Sequence, residues 1–546
     1  MDYHRVDGQG RRIAIALARL PAKVPVTHAQ YGGAILVNPG GPGGSGVLQA
    51  LSIGRDLQTI VDAEDPPSTT MDSTSQAKYF DIIGFDPRGV NNTTPGFSCF
   101  PTISAQKTWE LQDDAEGMLG SSATSFSRKW QRAVALNPGC SEALLTPPEG
   151  EDEALGQHMN TPPVVRDMLE ITERHAQWRE KQGQTAQHHH DSTHGHDPKQ
   201  QIAIRTRWRN PGQERLLFWG RSYGTVLGTT LATMFPDRIS RMVLDGVVDV
   251  DKYYTGQGIS PVRDADAIFD RFGVYCDLAG PDACPLYEVG GSPSTIEEAF
   301  LALDARIYNT SVPVLASSTH GPEIITWTDV RTLLRIALYQ PLLVFPILAQ
   351  ALGWLQRGDA SAMVDFKQNR RSSPCTADSQ CQRLGPWSAA CLDPRENEPY
   401  ASTAIMCSDA EYLTHVHESQ FPSMWHELKR DSQMIGDYWA SMTMSCAGWK
   451  SQAKWKPPAV FMANYTSHPL LFVSNLLDPV TPLTAAQKMS RNFPGSAVLQ
   501  QDAEGVRLYP LSLSLSLSWF NHVGMDTNKV AYFCFCPVSV HGQSYP

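Results

Sequence analysis

The segment Leu216-Leu217-Phe218-Trp219-Gly220-Arg221-Ser222-Tyr223-Gly224 constrains this chain more than any other. An apolar run that stops at Gly-x-Ser-x-Gly and continues into the helix-compatible residues Val226 to Phe235 is how a strand delivers a nucleophilic serine on a sharp turn. Side chains at Gly220 or Gly224 would collide with neighbouring backbone, so both glycines are steric requirements. Pro236-Asp237-Arg238 ends the helix, and a second apolar run, Met242-Val243-Leu244, closes at Asp245-Gly246. The order strand, serine turn, helix, strand is a parallel crossover unit and predicts an α/β fold.

The flanking sequence extends that unit. Arg12 to Leu20 alternates loosely as an early strand, and Ala34-Ile35-Leu36-Val37 is a strand feeding Asn38-Pro39-Gly40-Gly41-Pro42-Gly43-Gly44-Ser45-Gly46. The glycines of this loop leave backbone N–H groups unshielded, and a helix starting near Gly46 adds its positive end, so the loop can face an anion. No Gly-Lys-Ser/Thr ending marks it as a phosphate loop. Tyr79 to Phe85 is a strand leading to Asp86-Pro87-Arg88-Gly89, a turn that Asp86 and Arg88 are expected to lock by a local ion pair. A helix over Val164 to Arg179 presents Val165, Met168 and Ile171 on one face. The run Gln187 to Asp197, rich in histidine, is expected to be part of a disordered insert over about 183–200 rather than a metal site, because no apolar residue anchors it.

From about 250 to 458 the pattern turns to helical segments between Cys/Pro-rich loops, which reads as a lid inserted into the core. The core resumes at Leu470-Leu471-Phe472-Val473-Ser474, followed by Asp478-Pro479-Val480-Thr481-Pro482. A carboxylate just past a late strand is where the orienting group of a Ser, Asp, His triad belongs, and Asp478 is the candidate. Its alternative role is to cap the helix over Leu483 to Ser490.

A chain of 546 residues, 41% hydrophobic, supports a main domain plus a large insertion. Its net charge of −11 and the lack of a basic stripe argue against a nucleic-acid partner. Eleven cysteines, scattered through loops, and Asn-x-Ser/Thr triplets at Asn91, Asn92, Asn309 and Asn464 favour an oxidising compartment. The start, Met1-Asp2-Tyr3-His4, carries no apolar signal region, so the N-terminus is expected to be truncated. The uncharged run Ile336 to Gln356 contains Pro341 and Pro346 and is expected to form two buried helices rather than a membrane span.

The four motifs Asn38 to Gly43, Gly84 to Gly89, Gly220 to Gly224 and Asp478 to Pro482, in this order, resemble the tripeptidyl-aminopeptidase-like serine hydrolases, α/β-hydrolase peptidases related to prolyl iminopeptidase. The contexts Phe272-Gly273-Val274-Tyr275-Cys276 and Cys446-Ala447-Gly448-Trp449 resemble that family's lid, so the likeness covers roughly residues 10–505. It implies an α/β-hydrolase fold: a mostly parallel sheet flanked by helices, with the core at 10–249 and 459–505 and a helical lid at 250–458. It also implies a secreted or membrane-anchored exopeptidase that removes short peptides or single residues from free N-termini; no cofactor, metal or obligatory protein partner is expected. Ser222 would be the nucleophile, Asp478 the orienter, and the N–H of Tyr223 with one from Gly40 or Gly41 the oxyanion hole. An esterase on non-peptide acyl substrates shares every motif, and a non-catalytic hydrolase-like protein is the third reading.

The departure lies at the end. The family carries its general base on a Gly-His-Cys-like segment that should follow Asp502-Ala503-Glu504-Gly505. Here Val506-Arg507-Leu508-Tyr509-Pro510 leads instead into Leu511-Ser512 repeated to Ser518. His522 is the nearest substitute base, ahead of His541, but no strand precedes it to place it. An alternating Leu-Ser tract is what a CT-dinucleotide repeat encodes. Residues 506–546 are therefore expected to be a disordered tail of intronic or frameshifted origin. Val540 to Tyr545, read one nucleotide later, could encode Ser-Met-Ala-Lys-Ala-Ile, which resembles the missing helix. Sequencing the mature transcript across codons 495–546 is expected to restore Gly-His and that helix; a mature message carrying the Leu-Ser tract refutes this origin.

Overall fold

Residues 12–67, 76–195, 211–256, 262–318, 320–371, 397–506 and 531–533 are described by the structure, a computed structural model. Short apolar runs become strands: β1 (Leu17–Leu20), β2 (Tyr31–Asn38), β3 (Tyr79–Phe85), β4 (Leu216–Arg221), β5 (Ile239–Asp245), β6 (Val312–Val314), β7 (Glu323–Ile325), β8 (Leu470–Leu477), β9 (Ala497–Glu504) and β10 (Ala531–Phe533). All but β6 and β7 join one sheet in the order β1-β3-β2-β4-β5-β8-β9-β10. Only β1 runs antiparallel, against β3; the other neighbours are parallel. This is the expected α/β-hydrolase arrangement.

The helices, in chain order, start with α1 (Gly46–Val61), α2 (Ile103–Glu116), α3 (Ser125–Leu145), α4 (Thr161–His194), α5 (Tyr223–Met234) and α6 (Val250–Thr255). They continue with α7 (Asp264–Ala283), α8 (Pro293–Asn309), α9 (Trp327–Tyr339), α10 (Pro341–Gln356), α11 (Ser361–Arg371) and α12 (Glu398–Asp409). The last three are α13 (Phe421–Asp431), α14 (Gly436–Met444) and α15 (Leu483–Arg491).

Parallel central strands are buried on both faces, so they are apolar at nearly every position, and alternate residues divide between two cores. Leu36, Phe218, Met242 and Phe472 face one side and pack with Val165 and Met168 of α4 and Leu227 and Leu231 of α5. Ile35, Val37, Trp219, Val243 and Leu471 face the other and pack with Leu57, Ile60 and Val61 of α1. Helices α7 to α10 share a separate core, in which Phe272, Phe300, Leu334 and Leu348 are buried together.

Four expectations change. Residues 103–145, assigned with the core at 10–249, pack instead on the end of the lid: Phe126 stacks on Phe421, and Asn137 Nδ2 donates to the carbonyls of Ser445 and Ala447 (both 2.8 Å). The histidine-rich run is not disordered up to His194 but extends α4, where Glu, Gln, Ala and Lys favour helix and Gln187 Nε2 bonds Asp191 Oδ1 one turn on. Gly195, at φ +80°, ends it. Residues 336–356 do form two helices broken at Gln340, but α10 is not wholly buried: Leu342, Leu343 and Ile347 are exposed. No helix among the described residues is long and apolar enough to cross a membrane.

The fourth concerns the Asp-Pro-Arg-Gly turn. Asp86 and Arg88 do not pair. Asp86 accepts from Ser45 Oγ (2.6 Å) and Val47 N–H, which anchors the glycine loop and the start of α1. Arg88 reaches α4 and forms a two-pronged pair with Asp167, Nε to Oδ2 at 2.6 Å and Nη2 to Oδ1 at 2.8 Å. Both side chains are 3% exposed. A planar guanidinium matches a carboxylate on a rigid helix better than one on its own tight turn. Asp167→Asn alone leaves Arg88 buried and is expected to cost about 3–5 kcal/mol by chemical denaturation, while replacing both partners by apolar residues recovers most of that loss.

Candidate active site

Ser222 occupies the turn between β4 and α5 with φ 51° and ψ −121°, a backbone conformation that side chains avoid. It is held there from several sides. Its N–H donates to the Asp245 carbonyl (2.9 Å), and its own carbonyl accepts from Thr225 N–H (2.8 Å) and Thr225 Oγ1 (2.7 Å). A β-carbon on Gly220 would stand 2.3 Å from the Gly224 carbonyl oxygen, and one on Gly224 would stand 2.9 Å from the carbonyl oxygen of Asn38. Both sequence glycines are therefore demanded by contact, as expected.

The glycine loop closes over this turn. A β-carbon on Gly40 would lie 2.5 Å from the Arg221 carbonyl oxygen, 2.8 Å from Ser222 Cβ and 3.0 Å from Tyr223 N. Gly40 and Gly41 have φ of +97° and +112°, which a side chain rarely adopts. The two candidate loop donors are not equivalent. Gly40 N–H is already given to Asn38 Oδ1 (3.0 Å), whereas Gly41 N–H has no acceptor among the described residues. Tyr223 is the first residue of α5, so its N–H has no intrahelical acceptor either. Tyr223, the residue after the serine, and Gly41, on the loop whose Gly40 lies on Ser222 Cβ, thus carry free backbone donors among the described residues.

Asp478 follows β8, 1% exposed. Its Oδ1 accepts from the N–H of Val480 (3.0 Å) and Thr481 (2.7 Å), and its Oδ2 from Thr481 Oγ1 (2.7 Å). It therefore organises its own loop and does not cap α15, whose N-cap is Pro482. The loop reaches the serine. A β-carbon on Gly246 would stand 3.1 Å from Thr481 Oγ1, 3.5 Å from the Val506 carbonyl oxygen and 3.8 Å from Ser222 N. The ends of β4, β5, β8 and β9 meet at this point.

No described histidine fills that place. His158 bonds Glu153, His175 bonds Asp81, and His468 bonds the Ile239 carbonyl at the start of β5. His522 and His541 lie outside the described residues. Burial, the largest effect, pushes Asp478 up to about 7 against the pull of the Val480 and Thr481 hydrogen bonds, and the neighbouring Asp264 adds to it. No group of metal-ligating side chains is present among the described residues. A cavity of about 760 Å³ opens at the other end of the sheet, lined by Tyr31, Gly33, Leu217 and Ser240 at the starts of β2, β4 and β5, away from Ser222.

Sequence reasoning missed Thr481 and Asn38. Both sit in motifs already singled out, and their short spacings, Asp-x-x-Thr and Asn-x-Gly, are those of side chains that bond their own loop.

A model of the TAP-like protein family matches residues 432–514. The chain is 26% identical to the tripeptidyl aminopeptidase of Streptomyces coelicolor over 520 residues, 92% of this chain and 75% of that one. It is 25% identical to serine protease Hip1 of Mycobacterium tuberculosis over 506 residues, 91% of this chain and 78% of that one. Among solved structures, an α/β-hydrolase enzyme, MGS-M2, from a deep-sea metagenome library aligns over 95% of this chain and 97% of its own, at 10% identity and a TM-score of 0.32.

A carboxyl group whose folded value lies near 7 instead of 3.8 binds its proton more tightly in the folded state. Its contribution to stability is fully present below pH 3.8 and is lost as pH rises through 7. Asp478→Asn removes that term, so the fall of unfolding free energy between pH 4 and 7 is expected to be shallower in the variant; identical slopes would show that Asp478 titrates normally.

Proposed function

We propose that the chain is a tripeptidyl-aminopeptidase-like serine hydrolase, built as an exopeptidase releasing short peptides or residues from free N-termini, a reading supported by its similarity to the tripeptidyl aminopeptidase and serine protease Hip1. The observation that carries the proposal is the strained Ser222 turn with two unpaired N–H donors beside it, those of Tyr223 and Gly41. In this reading Ser222 Oγ attacks the scissile carbonyl, and the charge that develops on oxygen is held by the two backbone donors. Water then releases the acyl-enzyme. Gly41 takes the loop's share of the oxyanion hole, because Asn38 occupies Gly40. Asp478 is the orienter of an imidazole that approaches past Val506. Secretion belongs to the same proposal; the pairs Cys99–Cys140, Cys276–Cys284 and Cys407–Cys446 suit an oxidising compartment.

One observation favours a second reading, the non-catalytic one: both oxygens of Asp478 are engaged by its own loop, and no described histidine reaches it. Loss of a triad histidine costs on the order of 10⁶ in turnover, while the oxyanion donors keep part of the acceleration. With the expected triad histidine missing, this chain is expected to be impaired: a fluorophosphonate, read by mass spectrometry, is expected to modify Ser222 only slowly and to leave Ser222→Ala untouched. A chain carrying the restored Gly-His segment is expected to cleave peptide amides with free N-termini in preference to their N-acetylated forms and to short acyl esters. Absence of labelling in correctly folded protein selects the non-catalytic reading, and preference for esters selects an esterase.

A further inference from the structure

One helix, α12, rests on the glycine loop that carries Gly41 and reaches Tyr223 through Thr161. At its N-terminal end, a β-carbon on Gly43 would lie 2.7 Å from Ser402 N and 2.9 Å from the Glu398 carbonyl oxygen, so the helix backbone rests directly on the glycine loop. Asn397, just before the helix, donates to the Gly89 carbonyl (2.9 Å) and accepts from Asn91 N–H (2.9 Å), which fixes the same end to the Asp-Pro-Arg-Gly turn.

At its C-terminal end stands Asp409, two residues after the disulfide of Cys407 with Cys446. Asp409 Oδ1 accepts from Thr161 N–H (2.9 Å), and Oδ2 accepts from Thr161 Oγ1 (2.6 Å) and Tyr253 OH (2.9 Å). Thr161 Oγ1 in turn lies 2.5 Å from the phenol oxygen of Tyr223. Asp409, Thr161 and Tyr223 are 5%, 0% and 3% exposed. The direction of this chain follows from its end. A carboxylate only accepts, so Thr161 Oγ1 gives its proton to Asp409 and must accept from Tyr223 OH. Burial pushes Asp409 up to about 6, so above neutral pH this is the prevailing arrangement.

Tyr223 is the residue after Ser222. Fixing its ring fixes the backbone that carries the N–H aimed at the oxyanion, and misplacement of such a group by about 1 Å costs on the order of a hundredfold in rate. We propose that Asp409 is a positioning residue for the oxyanion hole, acting through Thr161 on Tyr223, so that the seating of lid helix α12 sets the geometry of the catalytic turn. The proposal rests on the roles given above to Ser222 and Tyr223.

The test is hydrogen exchange by mass spectrometry on the full chain, comparing the peptide spanning 216–227 with peptides of α7 and α8. Asp409→Asn, Thr161→Val and Tyr223→Phe are each expected to speed exchange in 216–227 about tenfold while leaving α7 and α8 unchanged. Thr161→Ser, which keeps the hydroxyl, is expected to behave as the native chain, and Asp409→Asn with Tyr223→Phe to exchange no faster than either alone. Tyr223→Phe loses a single oxygen and keeps the test open if Asp409→Asn does not fold. Unchanged exchange in Tyr223→Phe and Thr161→Val, additive effects, or a loosening spread evenly over lid and core overturns the proposal. Fluorophosphonate labelling of Ser222 is read in parallel and is expected to slow about tenfold or more in Tyr223→Phe. If native Ser222 does not react at all, the serine-hydrolase reading fails, while the exchange data still decide the role of Asp409.

Discussion

The backbone of Ser222 is held where a side chain does not rest by itself. A non-glycine residue at φ 51° and ψ −121° carries strain of about 1–3 kcal/mol, and it persists only where the surroundings leave no alternative. Here they are the Asp245 and Thr225 hydrogen bonds, the contacts that forbid a β-carbon at Gly220 and Gly224, and the glycine loop lying on Ser222 Cβ. The sheet register supplies the Asp245 bond and the approach of the glycine loop, while the Thr225 bonds and the Gly220–Gly224 contact are local to the turn. Asn38 pairs with Gly220 and Arg221 with Asp245, so the carboxyl ends of β2, β4 and β5 arrive together. A slip of one residue in any of these strands would turn its side chains to the other core and remove the turn's supports.

Two buried carboxylates show how differently the core and the site treat charge. Asp167 meets the fork of Arg88 on rigid elements, although burial still pushes its carboxyl upward. Asp478 is as deeply buried, yet hydrogen bonds from its own loop are all that stabilise its charge, and burial outweighs them. The first is a joint between a turn and a helix. The second is the orienter of the proposed triad, and Thr481 of its loop meets Val506 and Ser222 at Gly246.

The lid is tied into the core at points that bear on the site. Besides α12, the segment 103–145 bridges to the lid's end through the Phe126 and Phe421 stack and the Asn137 amide, and Asp264 of α7 accepts from Asp478 N–H (3.3 Å). The helices of 250–458 are thus fastened at the glycine loop, through Thr161 to Tyr223, and at the Asp478 loop.

The sequence by itself determined whatever is written in neighbouring residues. The strand that ends at Gly-x-Ser-x-Gly, the loop of glycines, the candidates Ser222 and Asp478, the two helices parted at Gln340 and the missing Gly-His segment were legible because sterics and hydrogen bonding act over a few residues. Tertiary structure alone decided the rest. Arg88 chose Asp167 over nearby Asp86, and Gly41 was left as the loop's free donor because Asn38 took Gly40. The helices at 103–145 joined the lid, and Asp409 met Thr161 across 248 positions. The reason is physical: a buried charge or donor takes whichever partner the packing brings within about 3 Å, and packing distance bears no fixed relation to distance along the chain.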